Sequence, residues 1–387
     1  MLSMLDNVTE KDFHVNTLTG FVHENRQVVL SVIVYDFVLS HQEEWLERDI
    51  GPRYTRRRHQ APFCCPKCRR CCFTRKGSRK RVYKNLIGKL LLPVLQVRCS
   101  GCSCRFCPYK DRIGLSFTER ISSSLLDKQL SLTCELPYWK ARRFVENFLS
   151  IAVSPGTVRK QIDKESESIE ALDITARNQI ACIDSTKVPA GSKQKGETIH
   201  LAVFARPGKR GRRPASHKRL LFLTVGDAEE VRKRTRALKL RGLVHDGDMD
   251  FSGCATLVQR CLWHLPHQLK YFLWQDGVPH KARLPWVKEL IGILFGSLNT
   301  QEMRQRYANF MDQLGEAGCF QACEHLKNAE KELTVSRENN FFYHTTAPIE
   351  REMREINRRA EIGVRWSTKG VQNLLRVKMY RRLNKQP

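Results

Sequence analysis

Two Cys-x2-Cys pairs, Cys65-Pro-Lys-Cys68 and Cys99-Ser-Gly-Cys102, stand thirty residues apart in a chain of 387. Each pair is a knuckle offering two thiolates to one ion, and two knuckles complete a tetrahedral four-cysteine zinc site. Zinc ribbons usually separate their pairs by about 15–20 residues. The excess fits an intervening hairpin, with strands predicted over 80–85 and 90–98 around Gly88. Cys64, Cys71, Cys72, Cys104 and Cys107 crowd the same stretch, and 68/71 and 104/107 are also Cys-x2-Cys pairs. The ligand set therefore has alternatives, and a second zinc has room. A ferredoxin-type run would want a fourth cysteine where Arg75 stands, which argues against iron–sulfur. The plainer alternative is a set of reduced thiols without metal. Disulfides are not expected, because Asp6, Glu10 and Asp12 interrupt any secretory signal.

Charge narrows the partner. The net formal charge is +27, and it is uneven. Residues 1–50 carry three Lys or Arg against nine acids, whereas 51–112 carry eighteen against one. Such positive density repels itself unless a polyanion neutralises it, and nucleic acid is the usual one. Arg56, Arg57 and Arg58 are candidate phosphate contacts within this stretch. The longest apolar run, residues 28–39, includes Asp36 and is too short to span a bilayer, so no membrane is expected.

Four segments follow: an acidic 1–50 of no legible role, a basic cysteine-rich zinc module over 51–112, a polar helical 113–170, and a domain from 178 to 387 that begins with strands and ends with helices. Within the third, 137–149 is predicted as a helix with Trp139, Phe144 and Phe148 as its apolar positions. After a short connection, Ser154-Pro-Gly-Thr157 opens a second helix, with serine as cap and proline in the first turn. Val158 and Ile162 would face inward, leaving Arg159 and Lys160 outward as in the recognition helix of a helix-turn-helix. An ordinary helical hairpin has the same periodicity.

In the last segment 180–188, 199–205 and 220–225 read as strands, 228–240 as a helix, and 243–246 as a strand ending in Asp246-Gly. Strand, strand, strand, helix, strand is the order that opens an RNase H-like fold. Asp184 and Asp246 would then meet on adjacent strands. A third carboxylate from a helix across the sheet would complete a site for hard divalent ions. Glu350 supplies it, flanking the buried stripe Ile349, Met353 and Ile356. Glu352 and Glu355 lie farther round. Asp248 and Asp250 follow closely, but Asp246 directly ends the apolar run. A basic Gly/Pro stretch, 206–214, separates two of the strands, and 284–337 shows helical pattern only.

Asp184 in a strand, Asp246-Gly, Cys261-Leu-Trp-His264, Ile349-Glu350-Arg351, Asn357-Arg-Arg and Gly363-Val-Arg-Trp-Ser367 follow in order. The set resembles the DDE transposases of prokaryotic insertion sequences, most of all those allied to the Mutator-like elements. The likeness covers about residues 60–380. It implies an α+β or α/β chain: an RNase H-like catalytic core with a helical insertion at about 284–337, behind a zinc-ribbon-like module and a helix-turn-helix. It implies Asp184, Asp246 and Glu350 as catalytic ligands of two Mg²⁺ (or Mn²⁺), with cleavage at element ends and strand transfer to target DNA. It also implies a homodimer or higher assembly on DNA, and a cytoplasmic, nucleoid-associated location in a prokaryote. Cys261 and His264 would be a structural contact or metal site bracing the catalytic helix. Equally they would be a buried cysteine beside a hydrogen-bonded histidine, since two ligands cannot close a zinc site.

Overall fold

A computed structural model describes residues 15–51, 61–110, 112–113, 120–172, 174, 176–192, 196–206, 217–341, 343–362 and 365–384, with side chains at 28 and from 30 onward. The chain divides into two compact units, Met1–Val158 and Arg159–Pro387. Within the described residues it is a mixed α+β protein.

In the first unit helix α1 spans Val15–Ile50, and strands β1 (Phe73–Asn85) and β2 (Gly88–Cys99) form the expected hairpin around Gly88. Asn85 Oδ1 accepts the amides of Ile87 and Gly88, and Gly88 has φ +131°, a backbone state that glycine reaches without strain. β3 (Arg105–Phe106) pairs with β2 only at Val97 and Arg98. Peptide groups of Pro93 and Leu95 are met instead by the buried carboxamide of Gln42 from α1. Its Nε2 donates to Pro93 O at 2.8 Å and its Oε1 accepts Leu95 N at 3.0 Å. Leu46 and Ile50 of α1 share one core with Phe73, Leu95, Val97 and the cysteines. Tyr109 Oη adds a 2.8 Å bond to Asp49. The acidic stretch 1–50, read from sequence as a segment of its own, thus ends inside the core of the cysteine module.

Helices α2 (Ser123–Glu135) and α3 (Tyr138–Leu149) follow, and α4 (Pro155–Glu170) begins in this unit. Ser154 Oγ accepts Thr157 N at 3.2 Å, the cap its position suggested. Buried Gln129 in α2 repeats the device of Gln42, bonding both the N and the O of Val153 at 2.7 Å. The burial of α3 differs from its apolar pattern: Ala141 and Val145 are buried, while Trp139, Phe144 and Phe148 are exposed. Two small side chains make the close contact, and the large rings are left at the surface.

The second unit holds β4 (Ile180–Val188), β5 (Glu197–Arg206), β6 (His217–Val225), α5 (Ala228–Ala237), β7 (Leu240–His245) and β8 (Ala255–Arg260). They form one sheet in the order β6-β5-β4-β7-β8. The β6–β5 and β5–β4 pairs are antiparallel, and β4–β7 and β7–β8 are parallel. Side chains alternate between faces. Cys182, Val188 and Val244 pack on one side with Ile349, Met353 and Ile356 of α11 (Ala347–Ala360) and with α12 (Thr368–Asn384). Ala181, Ile183 and Leu243 pack on the other with Val231 and Leu238.

Between sheet and α11 come α6 (His264–Gln275), α7 (His280–Gly296), α8 (Thr300–Glu316), α9 (Phe320–Ala329) and the short α10 (Val335–Glu338). They enclose a core of their own, including Leu269, Leu290, Phe310 and Leu326. The helical lobe thus starts at His264, well before the 284 read from the sequence. Gln259, fully buried on β8, bonds Leu333 O and Ser336 N and ties the lobe's far end to the sheet.

Candidate metal and carboxylate sites

The four knuckle cysteines converge. Ligand atoms of Cys65, Cys68, Cys99 and Cys102 all lie within 4.8 Å of one another. Cys65 Sγ is 3.5 Å from Cys102 Sγ, and Cys68 Sγ is 3.4 Å from Cys99 Sγ. A tetrahedron with Zn–S bonds of about 2.3 Å has edges of about 3.8 Å, so the set fits a structural ion such as zinc. Both knuckles are the same loop made twice. Arg69 N bonds Cys65 O and Cys65 N bonds Arg70 O; Ser103 N bonds Cys99 O and Cys99 N bonds Cys104 O. Arg69 (φ +63°) and Ser103 (φ +58°) take the left-handed turn at matching places. Backbone amides favour thiolate: burial opposes charge on Cys65, but the amides of Cys68 and Lys67 bring its thiol down to about 6. Cys99 is likewise lowered by the amides of Cys102 and Gly101.

Among the described residues this is the one group of three or more Cys, His, Asp or Glu side chains gathered so closely. Cys64 and Cys71 pair with each other, Sγ to Sγ 2.7 Å, and neither they nor Cys72, Cys104 or Cys107 build a second cluster.

Ile183 pairs with His245 across β4 and β7, which sets Asp184 and Asp246 side by side. Both are buried, 7% and 6% exposed. The Asp184 carboxyl is pushed up to about 8, first by burial, then by the charge of Asp246 and a hydrogen bond with it; His264 and the amide of Ser185 pull the other way. The Asp-Gly pair has a physical reason. Gly247 has φ +93°, and a Cβ there would collide with the guanidinium of Arg260. Gln268 of α6 holds the Asp246 carbonyl at 3.0 Å. Asp250 turns into its own loop, bonding Ser252 N and Oγ. Asp248 does not turn away: Ser185 Oγ lies 2.7 Å from Asp248 and 3.3 Å from Asp246, linking both to the strand that carries Asp184.

Glu350 stands on α11, across the same face of the sheet. Asp184 shares parity with Cys182, which packs on Ile349 and Met353, and with Thr186, which donates to Asn357 Oδ1 at 3.0 Å. Asn357 is seven residues from Glu350, so the two project from nearly one face of the helix. Glu350 is nonetheless outside the ligand distance that joins a cluster of three. The structure brings Asp184 and Asp246 together on adjacent strands.

Glu352 has a different task. It is 3% exposed, with Lys218 Nζ at 2.8 Å and Arg382 Nε at 2.6 Å. Burial alone would raise its carboxyl; the two cations hold it below the ordinary range. Glu352→Gln is expected to lower stability by about 2–4 kcal/mol, since it strands two cations at a buried partner. Thermal melting checks this, and an unchanged Tm would refute the pairing.

Cys261 and His264 are in contact. Cys261 Sγ is buried, 3.2 Å from His264 Nδ1, and Thr346, before α11, reaches both at 3.4 and 3.1 Å. Burial works against charge on both groups. Their mutual bond nevertheless lowers the Cys261 thiol and raises His264 to about 9, with Asp184 and Asp246 adding to the second effect. The pair ties the start of α11 to the start of α6, a bracing contact.

Arg159 and Lys160 are exposed while Val158 and Ile162 are buried, as their spacing suggested. The same helix is sewn to α12 farther on: Glu165 takes a two-pronged bond from Arg381, and Asp163 accepts from Asn373. Arg56, Arg57, Arg58, residues 207–214, Gly363 and Val364 lie outside the described residues. Sequence reading missed Gln42, Arg260 and Gln268, whose partners are distant in the chain; only the glycine after Asp246 signalled a close neighbour. Among the described residues no helix is long and apolar enough to cross a membrane. No protein-family model matches the chain, and comparison with curated proteins finds no match.

Proposed function

We propose that this chain is a transposase that binds the ends of a mobile DNA element and cuts and joins DNA strands at one carboxylate site. The observation that carries the reading is the buried Asp184–Asp246 pair on adjacent parallel strands. The sheet order around it, β6-β5-β4-β7-β8, supports the reading of an RNase H-like core. Oxygen donors of this kind suit Mg²⁺ or Mn²⁺, and Glu350 would join from α11. Such ions would supply activation of the attacking oxygen and stabilisation of the leaving one. The chain's part is to hold the aspartates on rigid strands, to fix Asp246 through Gln268, and to keep water from their buried sides. Hydrolysis of the phosphodiester at the element end leaves a 3′-hydroxyl, which then displaces a 3′-oxygen in the target strand.

DNA is the polyanion that would neutralise a net charge of +27 on this reading. The cysteine module and the helices after it would read the element end, in a homodimer or larger assembly on DNA in the cytoplasm of a prokaryote. Arg159→Ala should relax preference for the element end by about 1–3 kcal/mol if the side chain reads a guanine. Equal loss on specific and random DNA would place that helix elsewhere. Mg²⁺-dependent nicking and joining of a labelled element end tests the whole proposal. A second reading is a zinc-dependent DNA-binding regulator derived from a transposase, resting on the four-cysteine cluster. It predicts binding in that assay with no nick at all.

A further inference from the structure

One face of α6 has an unusual composition. Trp263, His267, Lys270, Tyr271 and Trp274 recur at helical spacing from just before its first turn, and all are exposed. Trp263, Tyr271 and Trp274 are 47%, 54% and 56% exposed, while Leu265, Leu269 and Leu273 fill the opposite, buried face. This is not a core stripe turned the wrong way, because the helix already has its core stripe. The rings lie close to one another: Trp263 and His267 have centroids 5.0 Å apart, and Tyr271 and Trp274 5.6 Å. Beside them an open cleft of about 460 Å³ is lined by His267, Lys270, Tyr271, Trp274, His280 and Arg283, with no carboxylate in its wall.

The place of this face matters as much as its make-up. α6 begins at His264, which is bonded to Cys261, and Gln268, one turn on, holds the carbonyl of Asp246. The aromatic and cationic side chains therefore start next to the carboxylate pair and lead away from it along a rigid helix. Flat rings interleaved with cations are the chemistry that receives unpaired nucleotides: bases stack on the rings, and phosphates lie on the cations. A stacked duplex presents no base faces to such a surface. An apolar protein segment would leave Lys270 and Arg283 without counter-charge.

We propose that the exposed face of α6 is a platform for unpaired DNA next to the carboxylate site, with Trp263, Tyr271 and Trp274 stacking bases and Lys270 and Arg283 contacting phosphates. It rests on the reading of Asp184 and Asp246 as the DNA-cutting site and gives that site its substrate form, a duplex with strands parted at the point of reaction.

The test compares the full chain's affinity for a blunt duplex with that for the same duplex carrying a single-stranded tail, at fixed salt and without divalent ions. Wild type should bind the tailed duplex at least about fivefold more tightly, the low end of what one stacked base contributes. Tyr271→Ala with Trp274→Ala should erase that preference and leave affinity for the blunt duplex unchanged, whereas Trp274→Phe, which keeps a flat ring, should retain most of it. Both positions are exposed, so a melting curve matching wild type is expected for each variant. A wild type indifferent to the tail would overturn the platform and leave the face to a protein partner. Persistence of the preference in the double variant would overturn it as well, as would equal loss on both duplexes. No cutting is measured, so failure here leaves the carboxylate reading standing, and failure of cutting elsewhere leaves this result intact.

Discussion

Asp184→Asn and Asp246→Asn should each abolish Mg²⁺-dependent nicking and joining while a gel shift on the same preparations still shows DNA bound. Each change keeps shape and removes a carboxylate from the pair. Glu350→Gln should do the same, whereas Asp250→Asn should leave measurable activity, because Asp250 is occupied with Ser252. Asp248→Asn is the instructive intermediate, since Ser185 links Asp248 to the site. Loss in Asp248→Asn with activity in Asp246→Asn would keep the mechanism and move the middle ligand. Full activity in Asp184→Asn would end the transposase reading.

The same variant has a pH signature. Asp184 is pushed up to about 8 in the fold, against about 3.9 for an unfolded chain. Between those values the folded state keeps a proton that the unfolded chain has lost, so wild-type stability should fall as pH rises from about 4 to about 8. Asparagine removes that dependence. Asp184→Asn should thus be more stable than wild type at pH 8 by roughly 2–4 kcal/mol, with the gap closing toward pH 4. Melting curves without metal at both ends of the window measure it. A constant gap would mean that the fold does not raise the Asp184 carboxyl.

Removal of the structural metal is the other large effect. The native protein should contain about one zinc per chain, held by Cys65, Cys68, Cys99 and Cys102. Zinc contributes about 10–16 kcal/mol in small structural sites, more than a small hairpin core can replace. Cys65→Ser with Cys68→Ser should therefore lose the metal, unfold the β1–β2 region and weaken DNA binding, with the five-stranded sheet still folded. Cys64→Ser and Cys71→Ser should leave the metal content unchanged. Metal analysis of protein purified without chelator decides this, and absence of zinc would sink the claim.

What was legible in the sequence was local or ordered. The knuckles were readable because a Cys-x2-Cys loop makes its own geometry, and the hairpin because Gly88 marks its turn. Asp184 and Asp246 were readable because each ends or interrupts an apolar run, so the order of strands was enough to make them neighbours. Side-chain direction on α3 was not legible: Ala141 and Val145 are too small to announce a buried face beside Trp139 and Phe148. The burial of Glu352 also escaped, because its partners Lys218 and Arg382 come from β6 and α12. The link of Asp248 to its neighbours was not legible either. Its link to the site runs through Ser185, a residue with no chemistry of its own to draw notice.

The buried glutamines Gln42, Gln129 and Gln259 make three long-range joints out of neutral carboxamides. A carboxamide both gives and accepts, carries no charge, and does not titrate, so neither ions nor pH can screen these joints. The sequence of the cysteine module is the opposite in character, with eighteen Lys or Arg against one acid over 51–112. On the proposed reading, binding of DNA and folding would consequently answer to different variables. Salt strong enough to strip away a polyanion also quiets the repulsion among those cations, and it leaves α1 seated on β2. A concentrated-salt wash should return the protein bare and better folded than it was at low ionic strength.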